Sequence, residues 1–136
     1  MTKTTWTELC GLLVAGGLSL FTSGCYYDSK EELGLLNPPC DTTAVSYSAD
    51  IIPILDAACI VCHSAATADI AGGGNNLEGY SALMNFVEPN DPNASIFYQS
   101  VAWISGTSFM PKGGSQLTSC ELALVRNWIA QGALDN

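Results

Sequence analysis

The stretch Cys59-Ile60-Val61-Cys62-His63, C-I-V-C-H, decides how the rest of the chain is read. Two thiols at this spacing can form a redox disulfide, supply half of a zinc site, or add across the two vinyl groups of a haem. His63, the only histidine in the chain, follows directly. That adjacency favours the third option, because a histidine beside a tether through Cys59 and Cys62 is placed to ligate the tethered iron.

Working outward, Asp50 can cap a helix through Ile51, Ile52, Ile54 and Leu55 towards Cys59, with Pro53 tolerable only in its first turn. Ile51, Ile54, Leu55 and Ala58 make one apolar stripe at helical spacing, so the motif sits at a helix end. The glycine-rich residues 72–76 form a loop, and residues 80–87 a short helix that stops before Pro89. Asp91-Pro92 starts a further helix through Ile96, Phe97, Tyr98 and Val101 to Trp103. Phe109-Met110-Pro111 lies in a loop between Gly106 and Gly113-Gly114. Thr118-Ser119-Cys120-Glu121 fits a capping box, followed by the stripe Leu122, Val125, Ile129 and a stop at Gly132. No segment alternates like a strand. The expected fold class is all-α, with four to five short helices.

The chain has 136 residues, room for one domain with a modest core. Its formal charge of −9, from 4 Lys and Arg against 13 Asp and Glu, argues against electrostatic binding of nucleic acid or anionic lipid and favours a partner with a basic face. Residues 1–24 read as an export signal: Lys3 is the positive start and residues 9–21 are mostly apolar. The apolar run is shorter than the roughly 20 residues a membrane span needs. The ending Thr22-Ser23-Gly24-Cys25 resembles the lipobox of bacterial lipoproteins, in which the cysteine is lipidated, although Thr22 stands where a larger aliphatic residue is preferred. An ordinary secretory signal that leaves Cys25 as a free thiol is the alternative. Residues 25–39 then form a polar, proline-stiffened tether, and residues 40–136 the domain. Export into an oxidising compartment leaves Cys40 and Cys120 to form a disulfide. The competing arrangement is a zinc site of Cys40, Cys59, Cys62 and Cys120 or His63.

The pattern resembles class I cytochrome c domains, and the whole chain looks like the small mono-haem cytochrome c lipoproteins of Bacteroidetes and Planctomycetes. The resemblance covers residues 40–133. It is carried by S-Y-S-A-D-I-I-P-I-L-D-A-A-C-I-V-C-H, E-P-N-D-P-N-A-S-I-F-Y, F-M-P-K-G-G and L-T-S-C-E-L-A-L-V-R-N-W-I-A-Q-G-A. It implies a cytochrome c-like fold wrapped around one covalent haem c, attached at Cys59 and Cys62, with His63 as proximal and Met110 as distal iron ligand.

The ligand set can also be weighed from the residues. With one histidine, bis-histidine ligation within the chain is impossible, and after signal removal the methionines are Met84 and Met110. Met84 lies on an expected helix, where methionine is usually core filler. Met110 lies in a glycine-flanked loop before a proline. A lysine-ligated or vacant position is the remaining alternative. Phe97, Tyr98, Trp103, Phe109 and Trp128 are expected around the haem, with plain core packing the alternative for each.

His/Met ligation fills both axial positions and favours ferrous iron, so the expected activity is single-electron transfer by a membrane-tethered carrier between redox protein partners, not enzymatic turnover. Two other readings stand beside it. One is a haem with an open sixth position acting on peroxide or a small gas. The other is a non-haem module in which Cys59 and Cys62 form a redox pair or bind zinc.

Overall fold

In the computed structural model, which describes residues 40–136, the chain enters its first helical segment through Ser46. The Ser46 hydroxyl accepts from the Ala49 N–H at 3.2 Å, while Asp50 Oδ2 accepts from the Ser46 N–H at 2.8 Å. The cap is therefore Ser46, not the expected Asp50, which answers the cap from inside the turn. That turn, Tyr47–Ile51, is π-helical, and the Ile52 N–H reaches back to the Tyr47 carbonyl. Pro53 accounts for the wide winding: it has no N–H for the Ala49 carbonyl, and its ring would crowd that oxygen in a tighter turn. Helix α1, Ile52–Ala58, follows with Pro53 in its first turn, as expected.

Helical geometry breaks at Cys59 (φ −122°, ψ −46°), and α2, Ile60–His63, carries the rest of the motif. Next come α3 (Ala68–Ala71) and α4 (Tyr80–Leu83), which tightens into a 3₁₀ turn, Met84–Phe86. Helices α5 (Ile96–Val101) and α6 (Ser119–Ala130) complete the fold. Six short α-helices and no strand occur among the described residues, so the class is all-α. The expected export signal, lipidated Cys25 and tether lie outside the described residues.

Helix α5 is shorter than its sequence suggests at both ends. Asp91 Oδ1 accepts from the N–H groups of Asn93 and Ala94 at 3.0 and 3.1 Å, but this caps an isolated turn. The helix begins only after buried Ser95, whose hydroxyl accepts from the Glu88 N–H at 2.8 Å and donates to the Asp91 carbonyl at 2.8 Å. It ends at Val101 because Trp103 is left-handed, with φ 58°, and cannot continue a right-handed helix. Helix α6 begins with the expected capping box: the Thr118 N–H donates to Glu121 Oε2 at 2.7 Å, and the Thr118 hydroxyl accepts from the Glu121 N–H at 3.3 Å.

Helix α6 packs on the π-helical turn and on α5. Val125, Trp128 and Ile129 of α6 are buried together with Ile51 and Leu83. Burying each such side chain contributes roughly 1.5–3 kcal/mol. Tyr47 lies between two rings, stacked on Trp128 (centroids 5.7 Å apart) and edge-on to Tyr80 (5.2 Å). The two ends of the described chain are joined here: the Tyr47 N–H donates to Asn136 Oδ1 at 2.8 Å and the Val45 N–H to Gln131 Oε1 at 3.0 Å. Cys40 and Cys120 form the expected disulfide, 80 residues apart in sequence. That bond removes the competing zinc arrangement, which needed the Cys40 thiol. Among the described residues no three His, Cys, Asp or Glu side chains converge to hold a metal ion.

Candidate functional site

The break at Cys59 sets the motif against a cavity of about 330 Å³. Ala58, Cys59 and His63 line it, together with Ile96, Phe97, Ser100 and Val101 from α5 and Ser108 and Met110 from the loop after α5. Leu77 and Phe86 add further apolar surface. A second cavity of about 480 Å³ shares Cys59, His63, Asn75 and Met110 and adds Val61, Cys62 and Lys112. The first volume falls within the roughly 300–1,000 Å³ of ligand sites. No aspartate or glutamate lines either space, and Lys112 is the one charged side chain at their edge.

His63 is oriented by the loop that follows it. Its Nδ1 lies 2.8 Å from the Asn75 carbonyl, and its own carbonyl accepts from the Leu77 N–H at 2.8 Å. A carbonyl can only accept, so Nδ1 carries the proton and the Nε2 lone pair is left for another partner. The loop reaches this position because Gly72 has no side chain: a Cβ there would stand 2.6 Å from the Cys62 carbonyl and 2.9 Å from His63 Nδ1.

The two free thiols differ. Cys59 is buried, and burial pushes its pKa up to about 11, so it is a protonated, weakly nucleophilic thiol at neutral pH. Cys62 is half-buried and lines the second cavity.

Met110 is fixed through its backbone. Its N–H donates to the Ser100 carbonyl at 3.1 Å, and its carbonyl accepts from Trp103 Nε1 at 2.7 Å. Met84, the alternative methionine, packs against the core and lines neither cavity.

The four residues expected from the sequence to form the site, Cys59, Cys62, His63 and Met110, lie around adjoining spaces in the fold. Of the five aromatics expected there, only Phe97 lines the cavity. Trp128 belongs to the core, held by its stack on Tyr47 and by its Nε1–H donating to the Leu134 carbonyl at 3.0 Å. Tyr98 packs against the core, while Trp103 and Phe109 stack on each other, 5.7 Å apart. Asn75, Leu77, Phe86 and Ile96 were missed. Asn75 acts through its backbone carbonyl, for which side-chain identity carries no signal, whereas Ile96 faces the site on the same helix as Phe97 and a helical projection from Phe97 could have found it.

No family model, curated protein or solved structure matches the chain. Among the described residues no helix is long and apolar enough to cross a membrane.

Proposed function

We propose that residues 40–136 are a mono-haem c-type cytochrome domain that carries single electrons, with His63 and Met110 as axial ligands. The observation that carries this reading is the convergence of Cys59, His63 and Met110 on one apolar cavity, with Cys62 on the adjoining one. The donor set fits the group. Both thiols are free for thioether attachment, one imidazole has its Nε2 lone pair available, and one methionine shares the same mostly apolar lining. Such an iron supplies reversible one-electron oxidation and reduction.

The residues divide the remaining work. The Nδ1 hydrogen bond to the Asn75 carbonyl holds the His63 ring in one tautomer and one orientation. The Met110 thioether favours the ferrous state relative to a second histidine. Leu77, Ile96, Phe97 and Val101 give the cavity its apolar lining. With His63 and Met110 both holding the iron, no coordination position would be left for a substrate, which favours a carrier over an enzyme. Cys25 is the proposed lipid attachment, and the net charge of −9 favours redox partners with a basic docking face.

Expression with a haem-attachment system tests the reading. The expected result is a covalent c-type spectrum with a weak near-infrared sulfur-to-iron band that disappears in Met110→Ala. A covalent haem that lacks the band and binds carbon monoxide readily would point to an open iron and small-molecule chemistry. A chain that takes up no haem would return the site to Cys59–Cys62 redox chemistry.

A further inference from the structure

Trp103 and Phe109 are the least core-like aromatics near the site: they are 36% and 47% exposed, yet their rings stack nearly parallel, 12° apart. Surface stacking of this kind buries little area, so core formation does not explain it. Trp103 also occupies a left-handed backbone position, φ 58°, which bulky side chains rarely adopt. Such a backbone outlier calls for a compensating contact, and Trp103 makes one. Its indole Nε1–H donates to the Met110 carbonyl at 2.7 Å, at the short end of the range for such bonds.

The intervening loop is tied to α5 at further points. Thr107 donates its hydroxyl to the Gln99 carbonyl at 3.2 Å, and the Ile104 N–H donates to the same carbonyl at 2.9 Å. The Met110 N–H returns to the Ser100 carbonyl at 3.1 Å. Met110 is thus gripped on both sides of its peptide, by a backbone acceptor from α5 and by a side-chain donor from the residue that ends the loop's first turn. Of these ties, the indole bond is the side-chain contact made to Met110 itself.

We infer that Trp103 is a positioning residue that latches the Met110 loop shut, with Phe109 stacking on the indole to hold its donor on the Met110 carbonyl. The inference rests on the ligation reading above and deepens it. The latch sets how often the sixth position opens, and so whether the domain stays a pure electron carrier or admits small ligands. A closed state biased by one hydrogen bond opens about tenfold more often when that bond is lost.

The test uses the haem-loaded full chain in three forms. Trp103→Phe keeps a ring for the stack and removes the donor; Phe109→Leu removes the stack and keeps the donor. Each is compared with wild type for the near-infrared sulfur-to-iron band, the midpoint potential and carbon monoxide binding to ferrous protein. The expected result is a band in wild type, weakened in both variants, with carbon monoxide binding about tenfold faster in Trp103→Phe and a smaller rise in Phe109→Leu. A purely structural role would lower the melting temperature and leave the band, the potential and ligand exclusion unchanged in the folded variants. That result overturns the latch while leaving His63/Met110 ligation standing. Should Trp103→Phe fail to fold, Phe109→Leu decides by the same readouts. A wild-type protein without the band overturns the ligation reading, and the latch with it.

Discussion

A methyl group at Gly72 would meet the Cys62 carbonyl at 2.6 Å, His63 Nδ1 at 2.9 Å and the Ala68 Cα at 3.0 Å. The backbone there has φ −92°, an ordinary value, so the position needs glycine for space and not for conformation. Two of the three obstructing atoms belong to backbone and cannot swing aside. Gly72→Ala is therefore expected to push residues 72–75 off the His63 ring and to cost about 1–3 kcal/mol in denaturant unfolding, the range for overpacking. An unchanged midpoint in both denaturant and redox titrations would show that the loop does not orient the ring. The thiols supply a second residue-scale prediction. In the haem-free chain, iodoacetamide at pH 8 should label Cys62 well before Cys59, because Cys59 is buried and its thiolate becomes the major form only above about 11. Equal labelling of the two, read by peptide mass spectrometry, would contradict that burial. The chemistry of Cys59, Cys62 and His63 was legible because it lies in five consecutive residues. Gly72 was legible only as a loop glycine, since its role comes from a loop folding back onto the helix that precedes it.

At the scale of elements, what could be read ahead of the structure was whatever is settled within one turn. The α6 start is the clearest case: the Thr118 and Glu121 side chains answer each other across the first turn, with bonds of 2.7 Å and 3.3 Å, and need no other part of the molecule. Thr118→Ala should cost about 1 kcal/mol in urea unfolding, with an unchanged m-value. A loss below a few tenths would mean that the disulfide at neighbouring Cys120 already fixes this turn. The first helical turn was misread for the converse reason. Ser46 is held by Asp50 from within the turn and by the Asn136 backbone oxygen, which accepts from its hydroxyl at 2.9 Å, from the far end of the chain. No local pattern announces that bond, whereas the π-helical winding that follows the cap comes from Pro53. Helix α5 stops short for the same kind of reason: a left-handed Trp103 is paired with residues six and seven positions further on, Phe109 and Met110.

At the scale of the whole described domain, the fold closes by joining residues 40–47 to residues 120–136. The Cys40–Cys120 bond spans 80 residues, and chain entropy assigns such a cross-link about 4 kcal/mol of stabilisation, so a Cys40→Ser/Cys120→Ser double variant should lose most of that in denaturant unfolding. The all-α class followed from helical stripes, but which aromatic goes to the core and which to the cavity is a property of the assembled ends. Trp128 is drawn into the core by Tyr47, whose backbone N–H is itself held by Asn136. That junction makes stability depend on alkaline pH. Burial raises the Tyr47 pKa above its ordinary value of 10.0, and the nearby charges of Asp135 and Asp56 and the Tyr80 phenol push it the same way. The fold therefore favours the neutral phenol, whereas the unfolded chain ionises it near 10. Stability from this group is intact below pH 10 and is lost as pH rises through the raised value of the folded state. Tyr47→Phe keeps the ring between Trp128 and Tyr80 while removing the proton. Denaturant midpoints measured from pH 8 to pH 11 should fall with pH in wild type and more shallowly in Tyr47→Phe. Parallel curves for the two proteins would show that the phenol remains neutral or solvated throughout, and that another group governs the alkaline limit of the domain.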